Sequence, residues 1–209
     1  MRRMIGALYE KHVLPKLLDC CCSTKPVTYQ RNKLVPLAKG TVLEVGIGSG
    51  LNIPFYDSSS VEKVIGLDPS EELNQIAEKK AEKSELQIEF LINGAEEIHL
   101  PNKSIDTVLV TYTLCTIPDF DSALREMKRV LKDDGNLLFC EHGVAPDKNI
   151  IKWQNRINPL WGKLAGGCNI NRNIPEIIQS AGLKINKLEQ MYLPSTPKIV
   201  AYNYWGSAQ

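Results

Sequence analysis

Glycines at 46, 48 and 50 follow the apolar run Val42-Leu43-Glu44-Val45, and a second apolar run, Val64-Ile65-Gly66-Leu67, ends in the carboxylate of Asp68. Glycine lacks a Cβ, so a loop built from it bends sharply and lets a ligand lie against backbone N–H groups. An acid at the tip of the next strand can accept hydrogen bonds from both hydroxyls of a ribose. The pairing describes a pocket for a nucleoside. A dinucleotide site needs a third small residue after the first two glycines, so that helix and strand can pack over a pyrophosphate; Leu51 stands at that place.

The string Glu44-Val45-Gly46-Ile47-Gly48-Ser49-Gly50 resembles the E-x-G-x-G-x-G signature of class I S-adenosylmethionine-dependent methyltransferases. Further strings extend the likeness from about Pro26 to the C-terminus: Gln30-Arg31 ahead of Val35-Pro36, Leu51-Asn52-Ile53-Pro54-Phe55-Tyr56, Leu114-Cys115-Thr116-Ile117-Pro118-Asp119, Glu141-His142-Gly143, and Gly166-Gly167-Cys168 with Arg172. They are similar to the ubiquinone-biosynthesis-like branch, and within it to bacterial relatives of the methyltransferase-like thiol methyltransferases. The resemblance implies a doubly wound, seven-stranded, mostly parallel α/β sheet of Rossmann-like form, with an antiparallel last strand. It also implies S-adenosylmethionine as cofactor.

Size and composition are consistent with this. A chain of 209 residues, 43% hydrophobic and 23% charged, suits one globular domain rather than two. The net charge of +1, with Lys and Arg dispersed, gives no reason to expect a nucleic-acid partner. No apolar run reaches the roughly eighteen residues of a membrane span, and the first residues lack a signal peptide's apolar stretch, so a cytoplasmic location is expected. Of the six cysteines, Cys20, Cys21 and Cys22 are contiguous and Cys115, Cys140 and Cys168 scattered. That matches neither a disulfide framework nor a zinc-ligand spacing, so free thiols and no metal are expected.

The elements that must position these residues follow from hydrophobic period. Residues 1–40, with Met4, Ile5, Leu8, Leu14, Leu17 and Leu18 among charges and prolines, read as short amphipathic helices. They form either a lid over the pocket or a peripheral membrane contact. Residues 41–209 then alternate strand and helix, as a parallel sheet covered on both faces requires. Strands are expected at 41–46, 64–68, 86–92, 105–112 and 136–140, the last launched by a turn at Asp134-Gly135. Ser70 should cap a helix that buries Leu73, Ile76, Ala77 and Ala81, and Leu124, Met127, Val130 and Leu131 should line another. A helical stretch with Trp153 and Trp161 and a helix over 174–181 ended by Gly182 come next. Segments 183–192 and 198–205 close the chain as a hairpin-like pair.

Carried onto this sequence, the resemblance places Glu44, Gly46, Gly48, Gly50 and Asn52 around the methionine end of the cofactor and Asp68 on the ribose, with Pro69 and Ser70 flanking the adenine. Thr111, Tyr112 and Thr113 form the floor beneath the methyl donor. The family's acid facing the adenine amine is replaced by glycine in Asn93-Gly94-Ala95-Glu96. Methyl transfer from a sulfonium needs alignment and exclusion of water, and positioning supplies of the order of 7 to 11 kcal/mol at its best. A thiol or amine acceptor must also lose a proton. His142, one of three histidines, lies just past a strand on the carboxyl edge of the sheet and is the candidate base, with Glu141 orienting it or holding an acceptor's charge. Neighbours leaving a strand point to opposite faces, so one of the two is expected to face the acceptor.

The expected acceptor is a small, rather apolar molecule, first a thiol, then an amine or phospholipid headgroup, or a quinone-type ring carbon. A nicotinamide-dependent oxidoreductase and a cofactor-binding module without turnover stand as alternatives. The residues do not specify an oligomeric state.

Overall fold

The computed structural model describes Tyr9 and residues 13–209. Met4, Ile5 and Leu8, which the amphipathic reading of the N-terminus also used, lie outside the described residues. Among the described residues, the α-helices α1 (Leu14–Cys22) and α2 (Lys25–Leu34) precede β1 (Gly40–Val45), β2 (Val61–Leu67), α3 (Glu71–Ala81) and β3 (Ile88–Leu91). There follow β4 (Ile105–Thr111), α4 (Phe120–Val130), β5 (Leu131–His142), α5 (Lys148–Leu164) and α6 (Ile174–Ser180), then β6 (Ile185–Tyr192), α7 (Lys198–Ala201) and β7 (Tyr202–Ala208).

The seven strands form one sheet in the order β3-β2-β1-β4-β5-β7-β6. The first five pair in parallel, and β7 runs antiparallel to both β5 and β6. Strand order reverses between β1 and β4, which puts the carboxyl ends of these two strands at the switch point where open α/β sheets hold ligands.

Strand periodicity divides the buried side chains between two layers. Leu43, Val45, Val108, Val110, Leu137 and Phe139 pack with Ala123, Leu124, Met127 and Val130 of α4 and with Ile174 and Ile178 of α6. Val42, Val64, Leu109, Leu138 and Cys140 pack on the other face with Leu34, Val35 and Ala38. Leu34, Val35 and Ala38, just before β1, are therefore part of the main core. Glu44 and Thr111 share the parity of Val42 and Leu109, which directs both toward α2.

Several local expectations are corrected. Asp134 and Gly135 do not turn the chain into a new strand; β5 already starts at Leu131, and its register slips so that Leu131 faces Ile105 while Asn136 faces Thr107. The extra residues bulge from a continuing strand, because both ends of the segment find partners on β4. In α3 the buried residues are Asn74 and Ala77, whereas Ile76 is exposed. Asn74 is drawn inward because its amide donates to the carbonyls of Asp68 and Ser70. Residues 198–201 form a turn of helix instead of opening the last strand. Ser70 caps α3 by accepting from the N–H of Leu73.

Candidate active site

The loop after β1 is shaped by where side chains cannot go. Gly46 has φ +73°, and a Cβ there would lie 2.2 Å from Thr113 Oγ1. Gly48, also at positive φ, is open instead: an added Cβ would meet nothing nearer than the Gly46 carbonyl at 3.9 Å and Asp68 Oδ2 at 4.0 Å. One glycine lets the loop pack against the end of β4, and the other leaves a bare backbone surface facing the carboxylate.

Asp68 is almost fully buried, and its two oxygens are held by the backbone. Oδ2 accepts from the Gly48 N–H at 3.0 Å and Oδ1 from the Ser70 N–H at 2.9 Å. Burial raises its pKa and these two bonds oppose the rise. Each oxygen keeps a lone pair for one hydroxyl of a vicinal diol.

These groups border a cavity of about 290 Å³. Gly46, Gly48, Asp68, Pro69, Gly94, Ala95, Glu96, Thr111, Tyr112 and Thr113 line it, with apolar walls from Leu67, Leu73 and Ile117. Glu96 carries its carboxylate into the place vacated at position 94, where a Cβ on Gly94 would come within 2.7 Å of Glu96 Oε2. An acid two residues downstream thus stands where the sequence pattern has lost one. Gly50, Ser70, Glu44 and Asn52 support the cavity from behind.

Glu44 and Asn52 belong to a fully buried network. Asn52 Nδ2 donates to Glu44 Oε1 at 2.8 Å and Tyr56 donates to Glu44 Oε2 at 2.6 Å. Arg31, from α2, donates through Nη1 to Asn52 Oδ1 at 2.6 Å and to Thr111 Oγ1 at 2.8 Å. Its guanidinium also lies 5.3 Å from the centre of the Tyr112 ring and lines the cavity. Tyr112 has φ +56°, a conformation that costs of the order of 1 kcal/mol and sets its ring beside Arg31. Among the residues that sequence reasoning missed, Arg31 is the most consequential; its only signal was its place in the Gln30-Arg31 string. Leu18, Asp19 and Cys22 of α1 complete the wall.

Burial pushes the Glu44 carboxyl up to about 7, against the hydrogen bonds from Tyr56 and Asn52 and the charge of Arg31. An unfolded glutamate ionises near 4.5, so between these values the native chain holds the extra proton and stability falls as pH rises. Glu44→Gln removes that loss. Between pH 5 and pH 8 wild type should lose about 3 kcal/mol relative to the variant, as read from urea unfolding. A difference that stays constant with pH would show that Glu44 titrates normally.

Neither Glu141 nor His142 lines the cavity, contrary to the expectation that one would face the acceptor. Glu141 is fully buried, and its Oε1 accepts from the N–H groups of Thr113 and Leu114 at 2.6 and 3.0 Å. It shapes the segment under the methyl donor's expected place. His142 directs Nε2 to Cys168 Sγ at 3.2 Å. Burial opposes its charged form, but Cys168 and Glu141 outweigh that and raise its pKa. Asp106 has a supporting role away from the cavity, accepting from the Thr41 N–H and pairing with Lys132. Trp153 is 54% exposed, and Trp205 packs in the core.

A nucleoside with an amino-acid tail fits these features: a buried carboxylate with a free lone pair on each oxygen, an apolar slot with an acid at its edge, and bare glycine backbone beside a strand end. Residues 43–139 match the methyltransferase domain family model. The human thiol S-methyltransferase TMT1A is 32% identical over 178 residues, covering 83% of this chain and 72% of its own. The chain is a class I S-adenosylmethionine-dependent methyltransferase. The rat thiol S-methyltransferase TMT1B is 32% identical over 77% of this methyltransferase and 68% of its own length. A SAM-dependent methyltransferase from Aquifex aeolicus superposes with TM-score 0.64 at 19% identity, covering 93% of this chain and 97% of that one, so it shares the fold. The ambiguity left by Leu51 is thereby resolved: this methyltransferase uses S-adenosylmethionine rather than a dinucleotide. Among its described residues no helix is long and apolar enough to cross a membrane.

Proposed function

We propose that this methyltransferase acts on a small thiol. The observation that carries the reading is Arg31 on the cavity wall beside Thr111 and Tyr112. A guanidinium there favours an anionic nucleophile, which a thiol becomes on losing its proton, and disfavours a protonated amine. The face of Tyr112 that could have received a cationic amine already has Arg31 against it. The human and rat relatives described above bear the name of thiol S-methyltransferases, which supports the same choice.

In this reading Asp68 binds the ribose hydroxyls, Glu96 meets the adenine edge, and Gly46 and Gly48 give the methionine end its backbone surface. Bound S-adenosylmethionine supplies a methyl group already activated on a sulfonium. Thr111, Tyr112 and Thr113 form the floor at that point, fixed by Glu141 through the backbone N–H groups of residues 113 and 114. Leu18, Ile117 and Pro118 exclude water, with α1 acting as the lid. The acceptor's S–H proton leaves to solvent and Arg31 holds the thiolate, so the reading uses neither His142 nor Glu141 as a base.

A labelled-methyl assay against small thiols, amines, phospholipids and quinone precursors tests this. Label is expected in the thiols, with a rate that rises with pH and levels off below the free thiol's own pKa. Label in an amine or a ring carbon, with none in any thiol, would overturn the reading.

A further inference from the structure

Three soft or borderline donors meet behind the cavity wall, and the methyl-transfer reading uses none of them. Cys115 follows the Thr113-Leu114 segment after β4, His142 ends β5, and Cys168 closes the Gly166-Gly167 loop after α5. Their donor atoms all lie within 4.8 Å of one another, and Cys115 and Cys168 are buried. Tetrahedral zinc, with Zn–S near 2.3 Å and Zn–N near 2.0 Å, sets S···N and S···S separations of roughly 3.5 and 3.8 Å. The observed 3.2 Å between His142 Nε2 and Cys168 Sγ is within a few tenths of an ångström of the first value, and all three donor atoms lie within 4.8 Å of one another.

The surroundings leave the cluster poorly compensated without an ion. His142 Nε2 meets only the Cys168 sulfur among the described residues. Sulfur is a weak partner, so burying an imidazole and two thiols here is costly unless a stronger interaction offsets it. A divalent cation on two thiolates and a neutral imidazole is electrically balanced. Beside the cluster, Glu141 is tied to the Thr113 and Leu114 N–H groups, and Arg172 donates to the carbonyls of Leu114 and Ile117.

We propose that Cys115, His142 and Cys168 bind one zinc-class metal ion, with one coordination position left for water or another small ligand. Mixed sulfur and nitrogen donors select this class over magnesium or calcium. The ion joins three segments at the carboxyl edge, one of which carries Thr116, Ile117 and Pro118 to the cavity wall. It therefore braces the wall from behind. No linear motif announces the site, because one ligand follows β4, one ends β5 and one lies in the loop after α5.

The test uses the full chain, reduced, stripped with chelator and titrated with Co²⁺ and Zn²⁺. About one equivalent is expected to bind, giving Co²⁺–thiolate charge-transfer absorption and the intense visible bands of a tetrahedral ion, and Zn²⁺ should raise the melting temperature. Cys115→Ser and Cys168→Ser should each lose the charge-transfer absorption, and Cys20→Ser/Cys21→Ser, altering only exposed thiols, should keep it. Absence of thiolate absorption in the wild-type chain would overturn the proposal without any variant. So would its loss in Cys20→Ser/Cys21→Ser together with its survival in the other two, which would place the ion on the exposed cysteines.

Discussion

Arg31→Ala is expected to destabilise the fold by about 3 to 5 kcal/mol, the range for removing one partner of a buried charged network. The side chain is 5% exposed, and its loss strands Asn52 Oδ1, leaves Thr111 Oγ1 with the Asn52 amide alone, and removes the cation that, among the described residues, acts on Glu44. Urea unfolding reads the effect. Arg31→Met, which keeps the volume and removes the charge, separates electrostatics from packing. Its penalty should be smaller at pH 5, where Glu44 is protonated and needs no counter-charge, than at pH 8. Equal penalties at both pH values would assign the effect to packing alone.

Asp68→Ala should weaken binding of S-adenosylhomocysteine more than a hundredfold. Two hydrogen bonds to an ionised, largely desolvated carboxylate contribute roughly 1.5 to 3 kcal/mol each, and a loss of about 3 kcal/mol exceeds two decades in Kd. The substitution also frees the Gly48 and Ser70 N–H groups, which loosens both ends of the diol site. Asp68→Asn retains an acceptor on one side and should fall between the two. Isothermal titration checks the order. An alanine variant that bound the ligand as tightly as wild type would remove Asp68 from the ribose.

The parts of this site that can be read from a linear string are those built from neighbours. Gly46, Gly48 and Asp68 announce themselves because a strand end, a bend and a second strand end recur at a fixed spacing, and Ser70 because a cap acts three residues ahead. The alternation that sorts Val42 and Glu44 from Leu43 and Val45 is equally local. Arg31 is different: its partners, Asn52 and Thr111, lie 21 and 80 positions away, and nothing in its immediate surroundings distinguishes it from a solvated basic residue on a helix. Glu141 and His142 were found as residues near the carboxyl edge, but their directions depended on what the 113–115 and 165–168 segments offered. Cys115 and Cys168 are 53 positions apart by their numbers and converge only when the sheet folds.

The same reasoning explains the smaller discrepancies. Asp134-Gly135 has turn chemistry, yet the pairing of β5 with β4 on both sides of it turns the bend into a bulge. Ile76 satisfies helical spacing, yet Asn74 takes the inward place because the carbonyls of Asp68 and Ser70 attract its amide. In both places a tertiary partner outweighed a local preference.

The charge that favours ionisation of the first strand's acid arrives from a helix upstream of that strand. The sheet is consequently not an autonomous folding unit. Shortening the chain stepwise from its beginning would meet an abrupt threshold at α2 rather than a gradual decline, and a chimera exchanging sheets between relatives would have to carry this helix along with its own matching carboxylate.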